Sequence, residues 1–121
     1  YALTEIPAEK IILGVPNFGY DWPLPFVQGS SRAQSISNET AVELARRHGA
    51  QILFDETGRA PWFRYVDEMG LEHEVWFEDA RSIEEKLLLP PEYGLHGAGY
   101  WNLDRPFAQN WLVVNALYQI L

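Results

Sequence analysis

Two short apolar runs, Lys10-Ile-Ile-Leu-Gly-Val15 and Leu95-His-Gly-Ala-Gly-Tyr-Trp101, constrain this chain more than any other feature. Runs of this length without polar alternation have the pattern of strands covered on both faces, as in a parallel sheet flanked by helices. Each run is followed eventually by a helical pattern, which is the repeat of an α/β fold. Two such strands can neither close a barrel nor cover their own edges. The 121 residues are also about half of the ~250 that a complete (β/α)8 barrel uses. The expectation is a piece of a larger α/β protein, with open strand edges that predict self-association of the isolated chain.

Between the runs the pattern changes character. Asn17-Phe-Gly-Tyr-Asp-Trp-Pro-Leu-Pro25 combines aromatics with two prolines and reads as an irregular loop. Ser37 can cap a helix over 38–48, in which Ala41, Leu44, Ala45 and His48 share a face and Gly49 supplies the left-handed stop. Three β-rich runs, 51–54, 61–66 and 72–78, are separated by the Gly-ended turns Asp55-Glu-Thr-Gly58 and Asp67-Glu-Met-Gly70. They predict an antiparallel meander beside one helix. Ser82-Ile-Glu-Glu85 has capping-box form and opens a helix that Pro90-Pro91 terminates. Asp104 caps a last helix with Pro106 in its first turn, where Phe107, Trp111, Val114, Tyr118 and Leu121 recur every three or four residues. The chain divides into a strand and loop (1–26), an α+β module (27–80) and a helix, strand and helix (81–121).

Composition removes several classes of function. Seventeen acidic against nine basic side chains, net charge −8, leave no basic cluster for a phosphate backbone, so nucleic-acid binding is disfavoured. Cysteine is absent, and His48, His73 and His96 lack metal-ligand spacing, so neither a metal nor another cofactor is expected. No apolar run approaches the ~20 residues of a membrane span.

The candidate residues carry open alternatives. Trp101 ends the second run, where a barrel presents side chains to its active-site face; it offers either a flat surface to a sugar ring or core packing under the next helix. Gly97 and Gly99 suggest close packing of helix or ligand on the backbone, with the structural role favoured. Asn17, Tyr20, Asp21 and Trp22 combine hydrogen-bonding groups with aromatic faces, which suits a polyhydroxylated ligand or a structural turn, the turn being favoured on the residues alone. Glu78 and Asp79 are adjacent carboxylates that point to opposite faces of a strand, so they do not form a working acid/base pair.

Lys10-Ile-Ile-Leu-Gly-Val-Pro-Asn-Phe-Gly-Tyr-Asp-Trp22 resembles the seventh barrel strand of family 18 glycoside hydrolases. Trp76-Phe-Glu-Asp-Ala-Arg-Ser82 resembles that family's return from its insertion into the seventh helix, and Gly94-Leu-His-Gly-Ala-Gly-Tyr-Trp101 its eighth strand. The segments His73–Ser82 and Gly99–Trp101 are most similar to the spore cortex-lytic, LysM-linked branch of spore-forming bacteria. The resemblance implies the last two strand-helix units of a (β/α)8 barrel with a small α+β insertion. It also implies substrate-assisted, retaining hydrolysis of β-1,4 bonds in N-acetylglucosamine-containing polysaccharide, with peptidoglycan of the spore cortex or cell wall favoured over chitin and an extracytoplasmic location. Trp101 would floor the sugar site, and Asn17, Tyr20, Asp21, Trp22, Glu78 and Tyr100 would contact substrate. The family's Asp-x-x-Asp-x-Glu acid motif has no match here, so no catalytic residue is assigned and the isolated chain is expected to be inactive. A glycan-binding, inactive relative and an insertion that binds a partner protein are the alternative functions.

Overall fold

The computed structural model of the chain describes residues 1–118; Leu121, expected on the last helix, lies outside them. A short helix α1 (Ala2–Glu5) and a 3-10 turn (Ala8–Lys10) lead into β1 (Ile12–Pro16). Then follow β2 (Gly19–Pro23), β3 (Gln34–Ile36), α2 (Asn38–His48), β4 (Leu53–Asp55), β5 (Ala60–Val66), β6 (Glu72–Trp76), α3 (Ala80–Tyr93), β7 (Gly97–Trp101) and α4 (Ala108–Leu117).

The strands form two sheets. β1 and β7 pair in parallel, with Ile12 opposite Gly97 and Pro16 opposite Trp101. The other five are antiparallel in the order β3-β2-β6-β5-β4. The expected meander is β4-β5-β6. The expected loop at 17–25 is corrected: Gly19–Pro23 is a strand bonded between β3 and β6. Its prolines do no damage, since Pro23 is the last residue of the strand and Pro25 lies beyond it.

Each sheet has its own core. In the parallel pair, Leu13, Val15, Ala98 and Tyr100 point to one side, where Ile83 and Leu87 of α3 and Phe107 with Val113 and Val114 of α4 pack on them. The strands were expected to be covered on both faces. Among the described residues the helix face is covered, and Ile12 is 60% exposed on the other. In the antiparallel sheet, Phe63, Val75 and Phe77 meet Ala41 and Ala45 of α2, and Ile36 joins them.

The helix ends show which local signals survive tertiary contact. For α2 both hold, because Ser37 Oγ accepts from the Thr40 N–H and Gly49 takes φ 61. The start of α3 is corrected to Asp79, whose carboxylate accepts from the Arg81 and Ser82 amides while Ser82 Oγ accepts from the Asp79 N–H. Ser82 is thus the far member of the box, because only Phe77–Asp79 separate β6 from the helix. Pro90 and Pro91 do not end α3, which runs on to Tyr93 and stops at Gly94, φ 63. Proline removes the helical donors to the carbonyls four residues back. The carbonyl of Leu87, left free by Pro91, accepts from Tyr118 Oη instead. For α4 the expected Asp104 cap is not used; the helix starts at Ala108, because the Asn17 side chain holds the carbonyls of Asn102 and Arg105.

Candidate functional site

On the face of the parallel pair away from the helices lie Ile12, Gly14, Gly97, Gly99 and Trp101. Strand alternation sends Leu13, Val15, Ala98 and Tyr100 the other way. A methyl group added at Gly14 or Gly97 would meet no atom within 4 Å, and at Gly99 only Ile12 Cγ2, at 3.4 Å. The close packing expected over Gly97 and Gly99 is therefore absent among the described residues. What stands there is an open trough of bare backbone, with Trp101 at its end. The Trp101 indole is 72% exposed among the described residues. The peptide bond that follows it, to Asn102, is cis.

Next to the trough stands the uncovered face of the antiparallel sheet. The register sets Tyr20 opposite Trp76, Trp22 opposite Glu74, and Trp62 opposite Trp76. Trp62 and Trp76 stack at 5.7 Å and 15°. The Trp76 indole N–H donates to Glu74 Oε1 at 2.8 Å, and Arg64 holds the other Glu74 oxygen at 2.8 to 2.9 Å. The Trp76 bond, with Arg64, keeps the Glu74 carboxyl below its usual range against the opposing effect of burial. Phe18, Tyr20, Trp22 and Phe26 continue the aromatic row, edge to face for Phe18–Tyr20 and Trp22–Phe26 and tilted for Tyr20–Trp22. Two hollows open on it. One of ≈ 190 Å³ lies between Pro16, Phe18, Tyr20, Trp76 and Glu78, and one of ≈ 270 Å³ between Trp22, Leu24, Phe26, Glu74 and Trp76. Fixed indole and phenol faces with a few oriented polar groups suit the alternating apolar and hydroxyl surfaces of a sugar.

The structure separates the seven residues expected to touch ligand. Trp101, Tyr20 and Trp22 present accessible surface on the trough and the aromatic face. Asn17 is only 5% exposed, and its side-chain amide donates to the carbonyls of Arg105 at 2.7 Å and Asn102 at 3.2 Å. Asp21, on the α2 side of the sheet, is buried; it accepts from Tyr65 Oη at 2.6 Å and lies 2.8 Å from His73 Nδ1. Burial, with the Asp21 bond, pushes the Tyr65 phenol well above its usual range. Tyr100 faces the helices, where burial raises its phenol pKa. Within the described residues Asn17, Asp21 and Tyr100 act as internal supports: the first binds loop carbonyls, and strand alternation turns the other two inward. Glu78 is buried at the back of the smaller hollow, ion-paired to Lys86 at 3.0 Å, and burial raises its pKa against the Ser82 and Lys86 contacts.

Trp62, Trp76, Glu74 and Arg105 belong to this region and were not singled out from the sequence. The alternation Glu74, Trp76 and Trp62, Arg64 was a usable signal for the first three. Arg105 had none, because its partners are 69 and 70 residues away. No three-residue metal-binding cluster occurs among the described residues, and no helix among them is long and apolar enough to cross a membrane.

Comparison with known proteins agrees with this geometry. Residues 1–105 match the model for glycosyl hydrolases family 18. The chain is 46% identical over its full length to the cortical fragment-lytic enzyme of Bacillus subtilis (strain 168), and spans 28% of that protein's length. Among solved structures, the Bacillus megaterium QM B1551 spore cortex-lytic enzyme SleL superposes with a TM-score of 0.94 at 48% identity, covering 100% of this chain and 28% of the other. A chitinase of Chromobacterium violaceum superposes at 0.85 with 32% identity, covering 95% and 35%. The parallel pair with α3 and α4 is accordingly part of a (β/α)8 barrel, and the antiparallel sheet with α2 is its insertion.

Proposed function

This chain belongs to the glycosyl hydrolases of family 18, and from that premise we propose that it supplies the floor and one wall of a glycan cleft in a longer hydrolase. On this reading residues 1–26 carry the seventh barrel strand and its exit, 27–80 the insertion and 81–121 the last helix-strand-helix, with β2 of the first part lent to the insertion's sheet. The observation that carries the reading is Trp101 at the carboxyl end of β7 together with the aromatic row of Tyr20, Trp22 and Trp76.

The chemistry follows from what such a surface can and cannot do. An indole face under the ring at the scissile bond stacks on its C–H surface and fixes its plane. Barrel strands outside this chain provide the acidic Glu that protonates the leaving oxygen, and the substrate's own acetamido oxygen attacks the anomeric carbon. This chain positions and excludes water; it does not move the proton. The names of its relatives favour amino-sugar strands of the spore cortex as substrate, with action outside the cytoplasm.

The test is release of reducing ends from spore cortex fragments and from chitin oligomers by the full-length protein, with Trp101→Ala beside it. With the variant's fold checked by its melting temperature, kcat/KM on cortex falls about 10- to 100-fold. Wild-type turnover by Trp101→Ala removes the floor assignment. Faster hydrolysis of chitin than of cortex removes the substrate preference, and glycan binding without turnover by the wild-type protein points to the inactive, lectin-like alternative.

A further inference from the structure

The segment that leaves Trp101 is not held by its own barrel unit alone. The backbone N–H of Asn17 donates to the Trp101 carbonyl at 3.0 Å, and the Asn17 side chain takes the carbonyls of Asn102 and Arg105. From the insertion, Asn38 comes within 3.5 Å of Asn17 Oδ1, the outer limit of a hydrogen bond, while its own Oδ1 accepts the Glu78 N–H at 2.9 Å. The stronger tie runs the other way. The Arg105 guanidinium crosses to strand β3 of the insertion, donating to Ser35 Oγ at 2.8 Å and the Ile36 carbonyl at 2.9 Å, and lies 5.9 Å from the Phe18 ring. Asn17 and Asn38 are nearly inaccessible, so water cannot replace these partners at no cost.

We propose that Arg105, acting with Asn17, is a positioning residue that fixes Trp101 relative to the insertion, so that the floor and the aromatic wall of the cleft are held as one unit. Arg105 touches neither trough nor hollow; it sets where the Trp101 indole sits against Tyr20 and Trp76. Two charge-assisted bonds from the Arg105 Nη1 give a defined geometry that a single neutral bond would not. The functional part of the inference rests on the reading of Trp101 as sugar floor.

The experiment uses the full-length protein labelled with 5-fluorotryptophan, the Trp101 resonance being assigned by Trp101→Phe. In Arg105→Ala the Trp101 resonance shifts or broadens while those of Trp62 and Trp76 stay in place, and kcat/KM on cortex fragments falls about tenfold. Arg105→Lys, which can still donate to both Ser35 and Ile36, restores the larger part of both. Asn17→Ser, which removes the amide donor, gives a second route to the same signature should Arg105→Ala not fold. An unmoved Trp101 resonance, movement of all the tryptophans together, or unchanged turnover despite a moved resonance overturns the proposal. If Trp101→Ala itself keeps wild-type turnover, the floor reading fails, and the resonances alone then decide whether Arg105 couples the two parts.

Discussion

Lys86→Met tests the buried pair at the back of the smaller hollow. Glu78 has a side chain 9% exposed and Lys86 one 25% exposed, joined at 3.0 Å. Methionine keeps the apolar stem of lysine and deletes the ammonium. Removing one partner of a fully buried pair costs about 3–5 kcal/mol. Partial access of water to Lys86 reduces that to about 2 kcal/mol at pH 7. The sign with pH follows from the carboxyl. Burial raises the folded pKa of Glu78 above the ordinary value, while Ser82 and Lys86 oppose the rise. A group raised on folding contributes stability that is fully present below its unfolded pKa and lost as pH rises through the folded one. Without Lys86 the folded pKa climbs further, so the deficit of the variant is largest at neutral pH and shrinks towards pH 4, where Glu78 is protonated and needs no cation. Urea unfolding should show a midpoint lowered by about 1 M at pH 7, given a slope of about 2 kcal/mol per M, and a much smaller difference at pH 4. In a Glu78→Gln background the same substitution should cost little. An equal deficit at both pH values and in both backgrounds would show that Lys86 acts through its stem and that the ion pair contributes nothing.

Other outcomes follow from packing. Phe63, fully buried between Ala41, Ala45, Val75 and Phe77, should cost about 3–5 kcal/mol when truncated to Ala, read as a lowered urea midpoint; a change under about 1 kcal/mol would place the insertion core elsewhere. Gly19→Ala would set a methyl 2.7 Å from both Phe77 Cβ and the Trp76 carbonyl. The Trp76 carbonyl and the Phe77 Cα, at 3.1 Å, are backbone that cannot swing aside, so β2 and β6 are forced apart and hydrogen exchange of the β2 amides should accelerate, while unchanged protection would contradict the register. The isolated 121-residue chain carries the apolar trough and two open strand edges, so sedimentation should show concentration-dependent self-association; a monomer at all concentrations sinks that expectation.

Much of this architecture is legible in one dimension because its determinants are local. Ser37 and Gly49 bound α2 by satisfying or releasing the backbone of the helix they flank, and neither needs a distant partner. The apolar runs at 10–15 and 95–101 declare strands because no alternation is present, and the order of landmarks led to the barrel family. The errors lie where a distant partner outweighs a local preference. Aromatic, proline-containing residues 19–23 look irregular until β3 and β6 offer them hydrogen bonds, although the alternation of Gly19 and Asp21 with Tyr20 and Trp22 was visible. Pro90 and Pro91 break the intrahelical ladder without ending α3, since Tyr118 takes a freed carbonyl. Asp104 is a good cap left unused because Asn17 and Arg105 hold its segment in another shape.

For the site the division is sharper. The kinds of residue needed for a sugar surface, tryptophan at a strand end and aromatics in the following segment, were evident from the sequence alone. Which of them face outward from the two sheets was decided only by the fold, because the two-residue period of a strand sends neighbours such as Tyr20 and Asp21, or Trp101 and Tyr100, to opposite sides. The tie from Arg105 to Ser35 and Ile36 spans some 70 residues of chain and exists only once two sheets have formed. Local sequence specifies elements through short-range bonds; which side chains converge depends on long-range register, and that is settled only when the sheets pack.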